Sequence, residues 1–221
     1  MTELIHRIEG IAASIEIANL DTDQIMPKQF LHGIDKAGLD RGVLWDLRFT
    51  GEGQVRPEFV LNRPDYAGTR VLLAGPNFGC GSSREHAVWG LQQYGIQAVI
   101  ASAYGEIFYS NAMNNRLLAV TLAEEEVQAL LGESHASLKP LRIAIDVETM
   151  TVRSPQQVFS FTMSPRHRMM FLKGLDMIGA SLDHKTEIAA FAARHWAAQP
   201  WVKDVAAVTK HRLDQLHTQS H

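Results

Sequence analysis

Four segments follow one another in the middle of this chain: a short apolar run, a glycine-rich turn, a helix and a second apolar run. Few folds accept that order. Val71-Leu72-Leu73-Ala74 reads as a buried strand and Gly75 to Gly81 as the turn. A helix is predicted from about Ser83 to Tyr94, with Gly95 as its stop, and Ile96 to Ala101 as the next buried strand. A strand, a crossover helix and a second strand make a parallel pair with a right-handed connection.

The pattern continues. A helix around 107–115 leads to a strand around 117–122, and a Glu-rich helix start follows at 123–131, as the helix dipole favours. Residues 11–17, 141–147, 150–152 and 158–163 read as further strands. Ser164-Pro165 is a capped helix start with proline at the first helical position. The fold class expected is α/β: a small parallel sheet with antiparallel additions. Residues 32–57 are rich in glycine and charge without a clear period, as in a long functional or flexible loop. Residues 1–199 are assigned to one domain. A last regular helix is expected at 183–196. Residues 200–221 are read as a helical extension or tail, with Trp201 expected to pack on the domain and anchor it.

Composition narrows the function. The formal charge is −3, and the basic residues are scattered, which argues against a nucleic-acid partner. No window approaches the ~18 apolar residues of a membrane span. The start MTELIHRIEG does not read as a secretory signal, and Cys80 is the only cysteine, so a reducing, cytoplasmic setting is expected.

Asn77-Phe78-Gly79-Cys80-Gly81-Ser82-Ser83-Arg84-Glu85-His86 lies where open α/β sheets bind ligands, beyond the carboxyl end of a strand. It has neither the lysine of a phosphate-binding loop nor the glycine spacing of a dinucleotide site. Ser82 to Glu85 fits a capping box. Arg84 in a first helical turn would oppose the dipole unless a bound anion offset it, so capping and anion binding both stay open. His86 reads as structural.

With NFGCGSSREHA, three more segments stand in order along the chain: DTDQIMPKQF, IFYSNAMNN and GLDMIG. Together they resemble the swivelling β/β/α domain of the aconitase family, over roughly residues 5 to 195. In the isopropylmalate isomerases of that family this domain is a separate small subunit. The resemblance implies a hydro-lyase that isomerises 2- and 3-isopropylmalate by dehydration and rehydration, in leucine biosynthesis. Related substrates of the citraconate or methylmalate type, or a non-catalytic anion-binding module, are the alternatives.

The resemblance also implies roles. Ser82 matches the family's catalytic base and Arg84 its substrate-carboxylate arginine. Ser83, Asp23, Thr22 and Lys28 fall on the substrate-binding side. Phe30, Leu31, His32 and Gly33 occupy the stretch that faces the substrate's variable group, and Phe30 and Leu31 suit an isopropyl group or, equally, a core. The family's [4Fe–4S] cluster needs three or more thiolates, and one cysteine cannot supply them. The resemblance therefore implies a cluster-binding large subunit as partner, a small hydroxy-dicarboxylate as substrate, and no metal on this chain.

Overall fold

Strand β1 (Arg7–Ile15) alternates between exposed and buried residues up to Ile11; then Ala12 and Ala13 are both buried. The register of β1 with β2 (Thr69–Ala74) slips between Ile11 and Ala12, where Ile11 faces Thr69 and Ala12 faces Val71. On one side β1 pairs in parallel with β2, on the other antiparallel with β5. These coordinates are a computed structural model that describes residues 5–31 and 37–218.

Between β1 and β2 lie two short helices, α1 (Thr22–Ile25) and α2 (Trp45–Arg48), and several single 3-10 turns. After β2 come α3 (His86–Tyr94), β3 (Ala98–Ala101), α4 (Glu106–Asn114), β4 (Leu118–Thr121) and α5 (Glu124–Ala136). The antiparallel part is β5 (Arg142–Asp146), β6 (Thr151–Arg153) and β7 (Val158–Ser160). The seven strands stand in the order β4-β3-β2-β1-β5-β6-β7, parallel from β4 to β1 and antiparallel beyond it. This mixed sheet matches the expected class. Its apolar strands Val71–Ala74 and Ala98–Ala101 are fully buried, so both faces are covered.

Where the sequence suggested a loop at 32–57, the described part, from Ala37 on, is organised. Leu39, Val43 and Leu44 enter the core. Arg48 fastens the segment: Nε donates to Asn62 Oδ1 at 3.1 Å, Nη1 donates to the Val43 carbonyl at 3.1 Å, and its head lies 4.8 Å from the Tyr94 ring centroid. Side-chain bonds of this kind have no sequence period, which is why the segment looked irregular. Helix α5 also outruns its expected end at 131. It continues through Gly132 because buried Glu133 accepts from Ser154 Oγ at 2.5 Å and from the Gln156 N–H at 3.1 Å.

Helix α6 (Pro165–Lys173) starts as expected, with Ser164 Oγ accepting from the His167 N–H at 3.2 Å. Contacts divide the chain into two units, 1–177 and 178–221, so the segment expected to belong to the domain up to residue 199 groups with the tail. The helices are α7 (Met177–Leu182), α8 (Lys185–Ala198) and α9 (Val205–Thr218). No residue of α8 is buried. Within the second unit the 3-10 turn that holds Trp201 (Pro200–Val202) adjoins α8.

Candidate active site

The sheet does not stop where its strands stop. Past the ends of β1, β2 and β3, single bridges pair Asp21 with Cys80 and Phe78 with Tyr104. The Gly79 N–H donates to the Leu20 carbonyl at 2.8 Å, and the Phe78 N–H donates to the Ala103 carbonyl at 3.1 Å. The loop 77–82 is thus hydrogen-bonded along both edges, which gives a surface loop the definition of a strand. Asn77 Nδ2 adds a 2.8 Å bond to Asn19 Oδ1. Phe78 is buried edge-on against Phe108, with ring centroids 5.2 Å apart. Gly79 has φ +74°, and a Cβ there would lie 2.2 Å from the Phe108 ring, so only glycine fits.

On the β1 side, Asp21 caps α1. The Gln24 N–H donates to Asp21 Oδ1 at 2.7 Å and the Asp21 N–H donates to Gln24 Oε1 at 3.1 Å, a complete capping box. That fixes Thr22 and Asp23 in the first helical turn. Thr22 points inward and is 3% exposed; Asp23 points to the loop.

The chemistry-bearing groups meet there. Ser82 Oγ accepts from Arg84 Nε at 2.9 Å and from the Arg84 N–H at 3.3 Å. Arg84 Nη2 is paired with Asp23 Oδ1, and Lys28 Nζ lies 3.3 Å from Asp23 Oδ2. Ser82, Arg84, Asp23 and Lys28 form one cluster, with two cations against one carboxylate, which favours an anionic ligand. Ser83 is exposed, and its carbonyl accepts from Asn111 Nδ2 on α4 at 3.2 Å.

Three sequence expectations change. The capping box of Ser82 and Glu85 does not form: α3 begins at His86, with Glu85 as an N-cap that makes no side-chain bond. Ser82 Oγ is instead turned to Arg84. Arg84 thus precedes the helix, so its charge does not meet the dipole within a first turn. Thr22, assigned to the substrate side, has its hydroxyl against the Ser82 backbone.

Phe30 and Leu31 are half-buried against the core, with Phe30 5.2 Å from the Trp45 ring. His32 and Gly33 fall outside the described residues. His86 lies against Trp89, and its buried Nδ1 has no hydrogen-bond partner. Cys80 Sγ donates to the Asn19 carbonyl at 3.3 Å. Among the described residues no group of three or more His, Cys, Asp or Glu could hold a metal, and no helix is long and apolar enough to cross a membrane.

Asn111 was missed in the sequence as a site residue. Its signal was available, a polar side chain in the motif IFYSNAMNN beside the apolar face of a crossover helix. Beneath the loop, Tyr104 OH is 2.8 Å from both the Val99 and the Val120 carbonyl. Burial pushes its phenol well above the ordinary tyrosine value.

Comparison with known proteins gives a consistent picture. The family model described as the aconitase C-terminal domain matches residues 2–125. A 3-isopropylmalate dehydratase small subunit 1 from Chromobacterium violaceum is 64% identical over 207 residues, covering 94% of this chain and 97% of the relative. A small subunit of the same name from Phenylobacterium zucineum is 46% identical, covering 91% and 98%. The crystal structure of a 3-isopropylmalate dehydratase from Methanocaldococcus jannaschii superposes with a TM-score of 0.60 at 24% identity, over 83% of this chain and 98% of that one, and shows the same fold.

Proposed function

The chain belongs to the family of aconitase C-terminal domains, and we propose that it is the small subunit of a hydro-lyase that interconverts 2- and 3-isopropylmalate in leucine biosynthesis. One observation carries the assignment of roles: Ser82 Oγ accepts two hydrogen bonds, both from Arg84, at the open end of the parallel strands.

In this reading Ser82 removes the carbon-bound proton of a hydroxy-dicarboxylate. A free serine hydroxyl is far too weakly acidic for that near neutral pH. Two N–H donors, one of them charged, stabilise the alkoxide form of Ser82, which takes the carbon-bound proton and becomes the hydroxyl. Arg84 Nη1 makes no protein hydrogen bond among the described residues and is left for a substrate carboxylate, which a planar fork holds better than an ammonium does. Asp23 fixes the guanidinium, and Lys28 offsets the charge of Asp23 and supplies a second cation. Ser83 orients the substrate from the exposed side. Phe30 and Leu31 are proposed to face the substrate's isopropyl group.

The family's [4Fe–4S] cluster does not fit this chain, which has one thiol. We assign the cluster to a large subunit, and the active enzyme to the pair of chains in the cytoplasm. The test is reconstitution. The chain alone is expected to be colourless and inactive, and to gain isopropylmalate turnover with a cluster-loaded large subunit. Iron-containing, active protein from this chain alone would overturn the reading.

A further inference from the structure

We infer that Thr22 is a positioning residue for Ser82 and does not touch the substrate; this rests on Ser82 acting as the base. Thr22 is 3% exposed, so a ligand cannot reach it. Its hydroxyl oxygen accepts from the Ser82 N–H at 3.0 Å, and the hydroxyl hydrogen is directed at the Ser82 carbonyl at 3.4 Å. Its own N–H donates to the Cys80 carbonyl at 2.9 Å. One residue therefore holds the loop at Cys80 and on both sides of Ser82.

That hold matters because Ser82 lies outside any helix or strand. Residues 82–84 have no regular structure, and α3 begins only at His86. Nothing in a repeating hydrogen-bond ladder sets the orientation of the Ser82 peptide. The Thr22 hydroxyl does, and the capping box of Asp21 and Gln24 in turn sets Thr22. With the peptide fixed, Oγ stays within 2.9–3.3 Å of the two Arg84 donors. A displacement of even about 1 Å at a reacting group is enough to cost on the order of 100-fold in rate.

The proposal separates Thr22 from Arg84 experimentally. A substrate contact shows in KM, whereas a positioning residue shows in kcat. Thr22→Val keeps the shape and deletes the hydroxyl; Thr22→Ala deletes it with less bulk, should the valine disturb folding; Thr22→Ser restores it. Each is assayed with 3-isopropylmalate in the complex with the large subunit, beside Ser82→Ala. The expected result is a kcat about 10- to 100-fold lower for the valine and alanine variants, with KM within about twofold, and recovery to within about threefold of wild type for serine. A kcat near wild type in both hydroxyl-free variants, with Ser82→Ala inactive, overturns the positioning role. A raised KM at unchanged kcat overturns it in favour of substrate contact. If Ser82→Ala itself turns over normally, the base assignment fails first and takes this inference with it; that outcome is recognised by the Ser82 variant alone.

Discussion

Two loops leave the ends of neighbouring parallel strands in this molecule, and they have opposite characters. The loop after β2 carries Ser82 and Arg84 on partly exposed backbone with no regular structure. The loop after β3, residues 102–105, turns its largest side chain inward: Tyr104 is half-buried, with its hydroxyl beside two strand carbonyls. Gly105 passes so close behind the first loop that a Cβ there would lie 2.5 Å from the Gly79 carbonyl oxygen. The Gly105 N–H donates to the Phe78 carbonyl at 2.9 Å. The same position in the βα repeat thus serves as a site in one unit and as the support of that site in the next. Rigid backing allows a loop to leave its side chains free for chemistry.

That contrast can be broken or sharpened by mutation. The largest effect is expected in the first loop. Ser82→Ala should lower kcat of the reconstituted enzyme by about 10²–10⁴-fold while leaving the melting temperature of the chain close to wild type, since no cap is lost. A variant that melts early and stays active would make Ser82 structural. Arg84→Lys should raise KM about tenfold or more with a smaller loss in kcat, because the planar fork is gone and Ser82 loses its charged donor.

Changes in the second loop should act through stability. Gly105→Ala is expected to cost about 1–3 kcal/mol by overpacking, measured by denaturant unfolding. It should also lower kcat of the folded fraction, because the clash falls on the backbone of the first loop. Unchanged kcat would mean that the backing is not needed. Tyr104→Phe removes one hydroxyl from two buried carbonyls and should cost about 1 kcal/mol, with kcat per folded molecule unaltered.

The smallest effect concerns pH. Burial raises the Tyr104 phenol above its unfolded value, so its contribution is complete below about pH 10 and is lost as pH climbs through the raised folded value. Wild type should therefore lose stability in strong alkali more steeply than Tyr104→Phe. Parallel slopes would show that another group governs alkaline unfolding.

Sequence patterns reached the parallel part of the sheet because β2 and β3 are apolar on both faces and the first crossover helix stops at a glycine. Val71–Ala74, Ala98–Ala101 and the stop at Gly95 could be read with no knowledge of the partners. The cluster of Ser82, Arg84, Asp23 and Lys28 was named residue by residue, yet its geometry was not legible. Whether Ser82 caps a helix or faces Arg84 depends on where α3 begins, and the Ser82 peptide is bonded to the Thr22 hydroxyl 60 positions away in sequence. Thr22 was placed on the substrate side by resemblance, and its burial against the Ser82 peptide had no local signal. Asn111, Arg48 and Glu133 also act through single side-chain bonds across long sequence separations, and no local period announces such bonds. At the other end, the spacing of Trp201, Val205 and Val208 suggested a packed helix. The helix is present at Val205–Thr218, and periodicity predicts its apolar face but not what covers it.

The central claim is that Ser82 moves the substrate's carbon-bound proton, and hydrogen exchange reads that step without waiting for full turnover. Wild-type and Ser82→Ala chains, each reconstituted with the large subunit, would be incubated with 3-isopropylmalate in D₂O, and deuterium in the recovered substrate followed by mass spectrometry. The expected result is incorporation with the wild-type chain and a rate at least about 100-fold lower with Ser82→Ala, at equal substrate binding. Incorporation at the wild-type rate in the alanine variant would contradict the claim and move the base to another residue.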